Sequence, residues 1–241
     1  MAGPVAELRA FLRASLFDPV DQARTEAPGL LLRRRWVAGA TLVAGAVTLG
    51  WALRIPPGDP LFYPATLGLA AVWAVGAVLA GPLHLGRAHT RAGTRTSRSV
   101  VQSLALGLLL LGVFLAGAVV VAGIPALRDP VQGLLDHARY GSLALVAVIT
   151  AVNGIAEELY FRGALFDALP RRGAVLATTL VYGLSTVPTL IPLLVFAALV
   201  LGTVVGLQRR VTGGVLGPIV THLTWSLGML FLLPYTLDVW S

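Results

Sequence analysis

The chain has 241 residues, of which 56% are hydrophobic and only 12% charged, with a mean hydropathy of +0.83. So few charges cannot cover the surface of a soluble domain of this length, and the composition specifies an all-α, multi-pass transmembrane helical bundle. The net charge of +7 is carried by arginine without lysine, in short loops beside apolar runs, so it faces anionic lipid and no nucleic acid; the absence of cysteine excludes disulfides, thiolate metal sites and cysteine nucleophiles.

Residues 1–35 read as a cytosolic tail without an evident cleavable signal peptide. Within it Leu8, Leu12 and Leu16 recur at four-residue spacing with Val5 and Phe11 close to the same face, the pattern of a short amphipathic helix at a membrane surface. Arg33, Arg34 and Arg35 then abut Trp36, a basic stop followed by an aromatic at headgroup level. Seven apolar segments follow, at about 36–54, 61–82, 100–123, 141–168, 173–188, 190–208 and 212–234. Most reach the about 20 residues that span a bilayer; the fifth is short and the fourth is long enough to tilt or project. The polar linker from His84 to Ser99 separates a first helix pair (36–99, with its basic loop) from a core of five segments (100–241).

Orientation follows from arginine. Arg33–Arg35, the loop with Arg87, Arg91, Arg95 and Arg98, the turn with Arg171 and Arg172, and the turn with Arg209 and Arg210 alternate with nearly balanced or uncharged connections. The positive-inside rule then puts the N-terminus in the cytoplasm and Asp238–Ser241 outside a cell membrane crossed about seven times. His84 and His89 read as solvated loop residues. Gly202-x-x-x-Gly206 and Gly213-x-x-x-Gly217 read as small-residue packing faces, and no internal repeat is evident.

Chemistry concentrates in Asn153-Gly154-Ile155-Ala156-Glu157-Glu158-Leu159-Tyr160-Phe161-Arg162-Gly163. A charge at the centre of a membrane helix costs at least about 2.5–3.5 kcal/mol, so three within six residues imply a use. Glu158 and Arg162 are four apart and share a face, which predicts an ion pair. Glu157 points about 100° away, on the face of Asn153 and Phe161, with a like charge beside it in a low dielectric. These conditions suit a general base or acid working near neutrality. His222 is the one histidine inside an apolar segment. Glu157 lies eleven residues from the end of its segment at Ala168, and His222 eleven from Val211. Both therefore sit about 16 Å from the same end of antiparallel helices, a depth at which they can meet.

Glu157-Glu158-x-x-x-Arg162, a small-residue helix, and Pro218-x-x-x-His222 together resemble the CPBP family of intramembrane proteases, which comprises CAAX prenyl endopeptidases and bacteriocin-processing, immunity and abortive-infection-like proteins. The resemblance covers about 141–234. It implies a water activated by the first glutamate together with a histidine from an F-x-x-x-H motif. It also implies that the later histidine, with an Asn or Asp four residues on, stabilises the oxyanion or binds metal. Here the intermediate motif aligns with Tyr182-Gly183-Leu184-Ser185-Thr186, so Thr186 stands where histidine is expected, and Ser226 stands where Asn or Asp is expected. A threonine hydroxyl positions a water but neither takes its proton near pH 7 nor binds zinc as imidazole does. Glu157 and His222 are the candidate metal ligands and zinc the candidate ion; with Glu158 they make at most an open three-ligand site. The chain has no H-E-x-x-H and no membrane aspartate pair, and Gly183-Leu184-Ser185-Thr186 lacks the second glycine of a rhomboid G-x-S-G.

Three functions compete. The first is an endopeptidase acting on a peptide or protein substrate in lipid: Glu157, Glu158 and His222 are catalytic, and Arg162, Asn153, Thr186 and Ser226 support them. The second is a catalytically impaired relative serving as scaffold, chaperone or immunity factor. The third is a small transporter or proton relay, against which the lack of repeat symmetry counts.

Overall fold

Proline and glycine set helix ends throughout. Pro4, Pro125 and Pro192 each occupy the first turn of a helix, where a missing N–H costs nothing, and Gly213 closes the last of these at φ +67°. The computed structural model describes residues 3–20, 28–89 and 96–240. Its helices are α1 (Pro4–Leu16), α2 (Pro28–Ala52), α3 (Phe62–Ala80), α4 (Val100–Ala122), α5 (Pro125–Arg139), α6 (Leu143–Glu158), α7 (Phe166–Ala168), α8 (Ala174–Thr186), α9 (Pro192–Thr212) and α10 (Leu216–Leu237). A π turn, Leu159–Leu165, makes α6 and α7 one continuous rod. Short strands β1 (Ala88–His89) and β2 (Thr96–Ser97) pair antiparallel, Ala88 opposite Ser97. Arg91 and Arg95 of the basic loop, and Ser241, lie outside the described residues.

Among the described residues five helices are long and apolar enough to cross a membrane: Phe62–Ala80, Val100–Ala122, Leu143–Ala168, Pro192–Thr212 and Leu216–Leu237. The expected fifth segment falls short, because the 13 residues of α8 rise only about 20 Å. α2 has 25 residues but carries Arg33–Arg35 as its sixth to eighth. α1 is helical as its leucine spacing predicts, with Ser15 and Leu16 buried and Val5 and Leu8 exposed.

Two expectations need correction. The stretch between α4 and α6 is not merely a connection: it folds as α5, whose Val131 and Leu135, one turn apart, pack against Ala118, Ala122, Leu233 and Leu237. Pro130 and the interspersed charges conceal that stripe in the sequence. Of the two glycine motifs only Gly202-x-x-x-Gly206 is a helix face. Gly213 is a left-handed cap, and the following turn is held by the His84 linker through Val215 N–H to His84 O (2.8 Å) and Arg87 N–H to Thr212 O (2.9 Å).

On α5, His137 is 5% exposed and stacks on Phe62 at 3.8 Å between centroids. Burial pushes its pKa below the ordinary 6.5, opposed by neighbouring Asp136. The unfolded chain therefore binds more protons in this range, and stability rises with pH there. The contribution is present above about 6.5 and lost as pH falls through the lowered folded value. Unfolding midpoints in detergent from pH 5 to 8 are expected to rise for the wild type, and to rise less for His137→Phe, which keeps a ring against Phe62.

Candidate active site

The rod formed by α6, the π turn and α7 carries the site. A π turn is rare and concentrates at functional positions, because its wider winding re-aims side chains. Here it starts directly after Glu158 and includes Arg162. The aromatics inside it anchor the rod: Tyr160 Oη donates to Ala38 O on α2 (2.6 Å), and Trp73 of α3 lies 4.6 Å from the Tyr160 ring and 5.1 Å from that of Phe161.

Beyond the π turn, Asp167 Oδ1 accepts from Arg209 Nη2 (2.7 Å) and Oδ2 from Arg34 Nη1 (3.4 Å). Arg209 Nε also donates to Arg162 O (2.6 Å). Arg34 is fully buried and Arg209 4% exposed. Two arginines that read as topological loop charges thus also clasp α2 and α9 to the end of the site rod.

Glu158 and Arg162 are both fully buried, with Nη1 3.0 Å from Oε1. The same Oε1 lies 2.9 Å from His222 Nδ1. An ionised carboxylate only accepts, so Nδ1 carries the proton, and in a neutral ring Nε2 is then the basic nitrogen. A Cβ on Gly154 would sit 3.8 Å from that Nε2. The equal-depth argument therefore leads to contact, but the histidine meets Glu158, not Glu157. Arg162 is held on its other sides by the Tyr182 ring, 4.8 Å from its guanidinium carbon, and by Gly202, where a Cβ would lie 3.2 Å from Nη2. The Gly202 face is part of the site.

Glu157 turns toward α8, where its Oε2 accepts from Tyr182 Oη at 2.6 Å. The remaining predicted residues fall unevenly. Asn153 gives both amide hydrogens to carbonyls, Thr66 O and Ile149 O, each at 3.1 Å. It ties α6 to α3 through Thr66 O, so its support of the site is to hold the helix that carries Glu157 and Glu158. Thr186 donates to Gly183 O in its own helix (2.7 Å). Among the described residues, Ser226 Oγ, one turn beyond His222, is buried without a protein hydrogen-bond partner, as are Glu158 Oε2, Arg162 Nε and Nη2, and Asn153 Oδ1.

Among the described residues no group of three or more His, Cys, Asp or Glu can hold a metal. The donor chemistry gives the reason: Glu158 Oε1 already serves Arg162 and His222, and a cation there would face the guanidinium. The expected zinc site at Glu157 and His222 does not fit.

Apolar helices of spanning length around a buried Glu–Arg–His cluster define a multi-pass membrane protein. Residues 139–228 match the family model described as Rce1-like, type II CAAX prenyl endopeptidase. Over that stretch the CPBP resemblance is shown, and it places Glu157, Glu158, Arg162, Tyr182 and His222 within the matched segment. No curated protein and no solved structure matches the chain.

Tyr182 and Asp167 are the residues that sequence reasoning missed. The first had a signal, a hydroxyl at the phenylalanine position of F-x-x-x-H. Asp167 had none, because a carboxylate near a helix end is commonplace.

Proposed function

We propose that the protein is an intramembrane endopeptidase that hydrolyses a peptide bond with a water activated by Glu157. The observation that carries this reading is the division between the two carboxylates. Glu158 Oε1 is committed to two partners, the Arg162 guanidinium and His222, whereas Glu157 accepts from the neutral Tyr182 hydroxyl, in a segment that matches a peptidase family. Glu157 takes a proton from water as the water oxygen bonds to the scissile carbonyl carbon. The carbonyl electrons move to oxygen, which in this reading accepts from Ser226 Oγ–H. The proton then passes to the leaving amine as the C–N bond breaks, giving an acid and an amine. Glu158 and Arg162 hold His222 and the rod in register.

The proposed topology has about seven passes with the N-terminus in the cytoplasm. Exposed Trp36 and Trp51, about 22 Å apart along α2, suit the two headgroup levels. α1 then lies on the cytoplasmic lipid surface.

The test uses full-length protein in liposomes, with a farnesylated C-terminal peptide and its unprenylated counterpart as probes. Glu157→Ala is expected to lower kcat about 10²–10⁴-fold, the scale of a lost general base. Equal cleavage by wild type and variant would overturn the assignment. The second reading, an impaired relative, is favoured by Thr186, whose hydroxyl is engaged with its own helix. It gains the ground if wild type is inert and Thr186→His creates turnover.

A further inference from the structure

The phenylalanine position of the intermediate motif carries a tyrosine here, and the histidine position one turn later carries a threonine. Positions 182 and 186 lie one turn apart on the same helix face. The Thr186 hydroxyl bonds Gly183 O. That of Tyr182 reaches α6, at 2.6 Å from Glu157 Oε2. Its ring is 7% exposed and held between Phe161, 4.6 Å away, and the Arg162 guanidinium, so its hydroxyl has a fixed direction.

We propose that Tyr182 is the positioning residue of Glu157, performing from one turn earlier the orienting task of the histidine that this chain lacks. This rests on the reading of Glu157 as the base. A hydroxyl bonded to one carboxylate oxygen fixes the group's rotation and turns the other oxygen toward a water. The phenol does not take the water's proton; that remains with Glu157. Loss of the imidazole is thus matched by gain of a hydroxyl at a neighbouring position on the same face.

The experiment compares wild type, Tyr182→Phe and Tyr182→Phe/Thr186→His, each full length in liposomes, by two measurements. Dicyclohexylcarbodiimide labelling of Glu157, with Glu158 as internal reference, reads the hold on the carboxylate without any need for turnover. Cleavage of the farnesylated peptide reads catalysis. Tyr182→Phe keeps the aromatic packing and is expected to raise Glu157 labelling about tenfold, and to lower kcat by about the same factor with KM unchanged, the scale of a hydrogen bond to a charged group. Thr186→His in that background is expected to restore kcat toward wild type, which a merely structural tyrosine would not allow. Unchanged labelling together with unchanged kcat in Tyr182→Phe overturns the proposal. If labelling responds while wild type cleaves nothing, the tyrosine's hold on Glu157 stands and the peptidase reading falls.

Discussion

Glu158→Ala is expected to destabilise the protein by about 3–5 kcal/mol, the largest loss of any single change at the site, because it strands a charge where no solvent reaches it. Arg162 has no exposed surface and, among the described residues, pairs with no other carboxylate; its second face is the Tyr182 ring. His222 loses the acceptor of Nδ1 at the same time. The penalty comes from the uncompensated cation, so removing both partners costs much less than removing one. Glu158→Met/Arg162→Met is therefore expected to recover most of the unfolding midpoint in detergent while remaining inactive. Equal midpoints for the single and double variants would show that the pair's volume, not its charge, is what the bundle needs.

Asp167→Ala is expected to cost toward the lower end of the same range of about 3–5 kcal/mol. Its carboxylate is bonded by two guanidinium groups, Arg34 and Arg209, whose side chains are 0% and 5% exposed, but its own side chain is 20% exposed and so partly screened. The arginines keep their carbonyl contacts at Pro82 O and Arg162 O and lose that carboxylate. Because Arg209 reaches the backbone of the π turn itself, the loss also loosens the rod that presents Glu157 and Glu158. Thermal unfolding with turnover measured in parallel checks this: stability and kcat are expected to fall together. A midpoint within experimental error of wild type would count against the clasp.

The ion pair of Glu158 with Arg162 was legible because helical spacing alone brings residues four apart together, whatever surrounds them. The depth of His222 was legible because rise per residue is constant. Its choice of Glu158 over Glu157 was not, since the two carboxylates differ by only one residue in depth and helix rotation decides between them. α5 escaped notice because its charges and Pro130 mask a short apolar stripe. The buried roles of Arg34 and Arg209 were hidden because an arginine at a helix end satisfies the positive-inside pattern equally well in water or under a carboxylate.

The sequence by itself determined the class of protein and the residue types of the site. Hydropathy demands helices in lipid, and charges that costly are kept within a few residues of one another. Only the tertiary structure decided the wiring. The π turn re-aims the side chains beyond Glu158, α10 brings His222 to that same glutamate, and α8 brings Tyr182 to Glu157. Helix rotation and the meeting of distant helices are products of packing. No local spacing encodes them, so the partner of each carboxylate emerges only when the bundle closes.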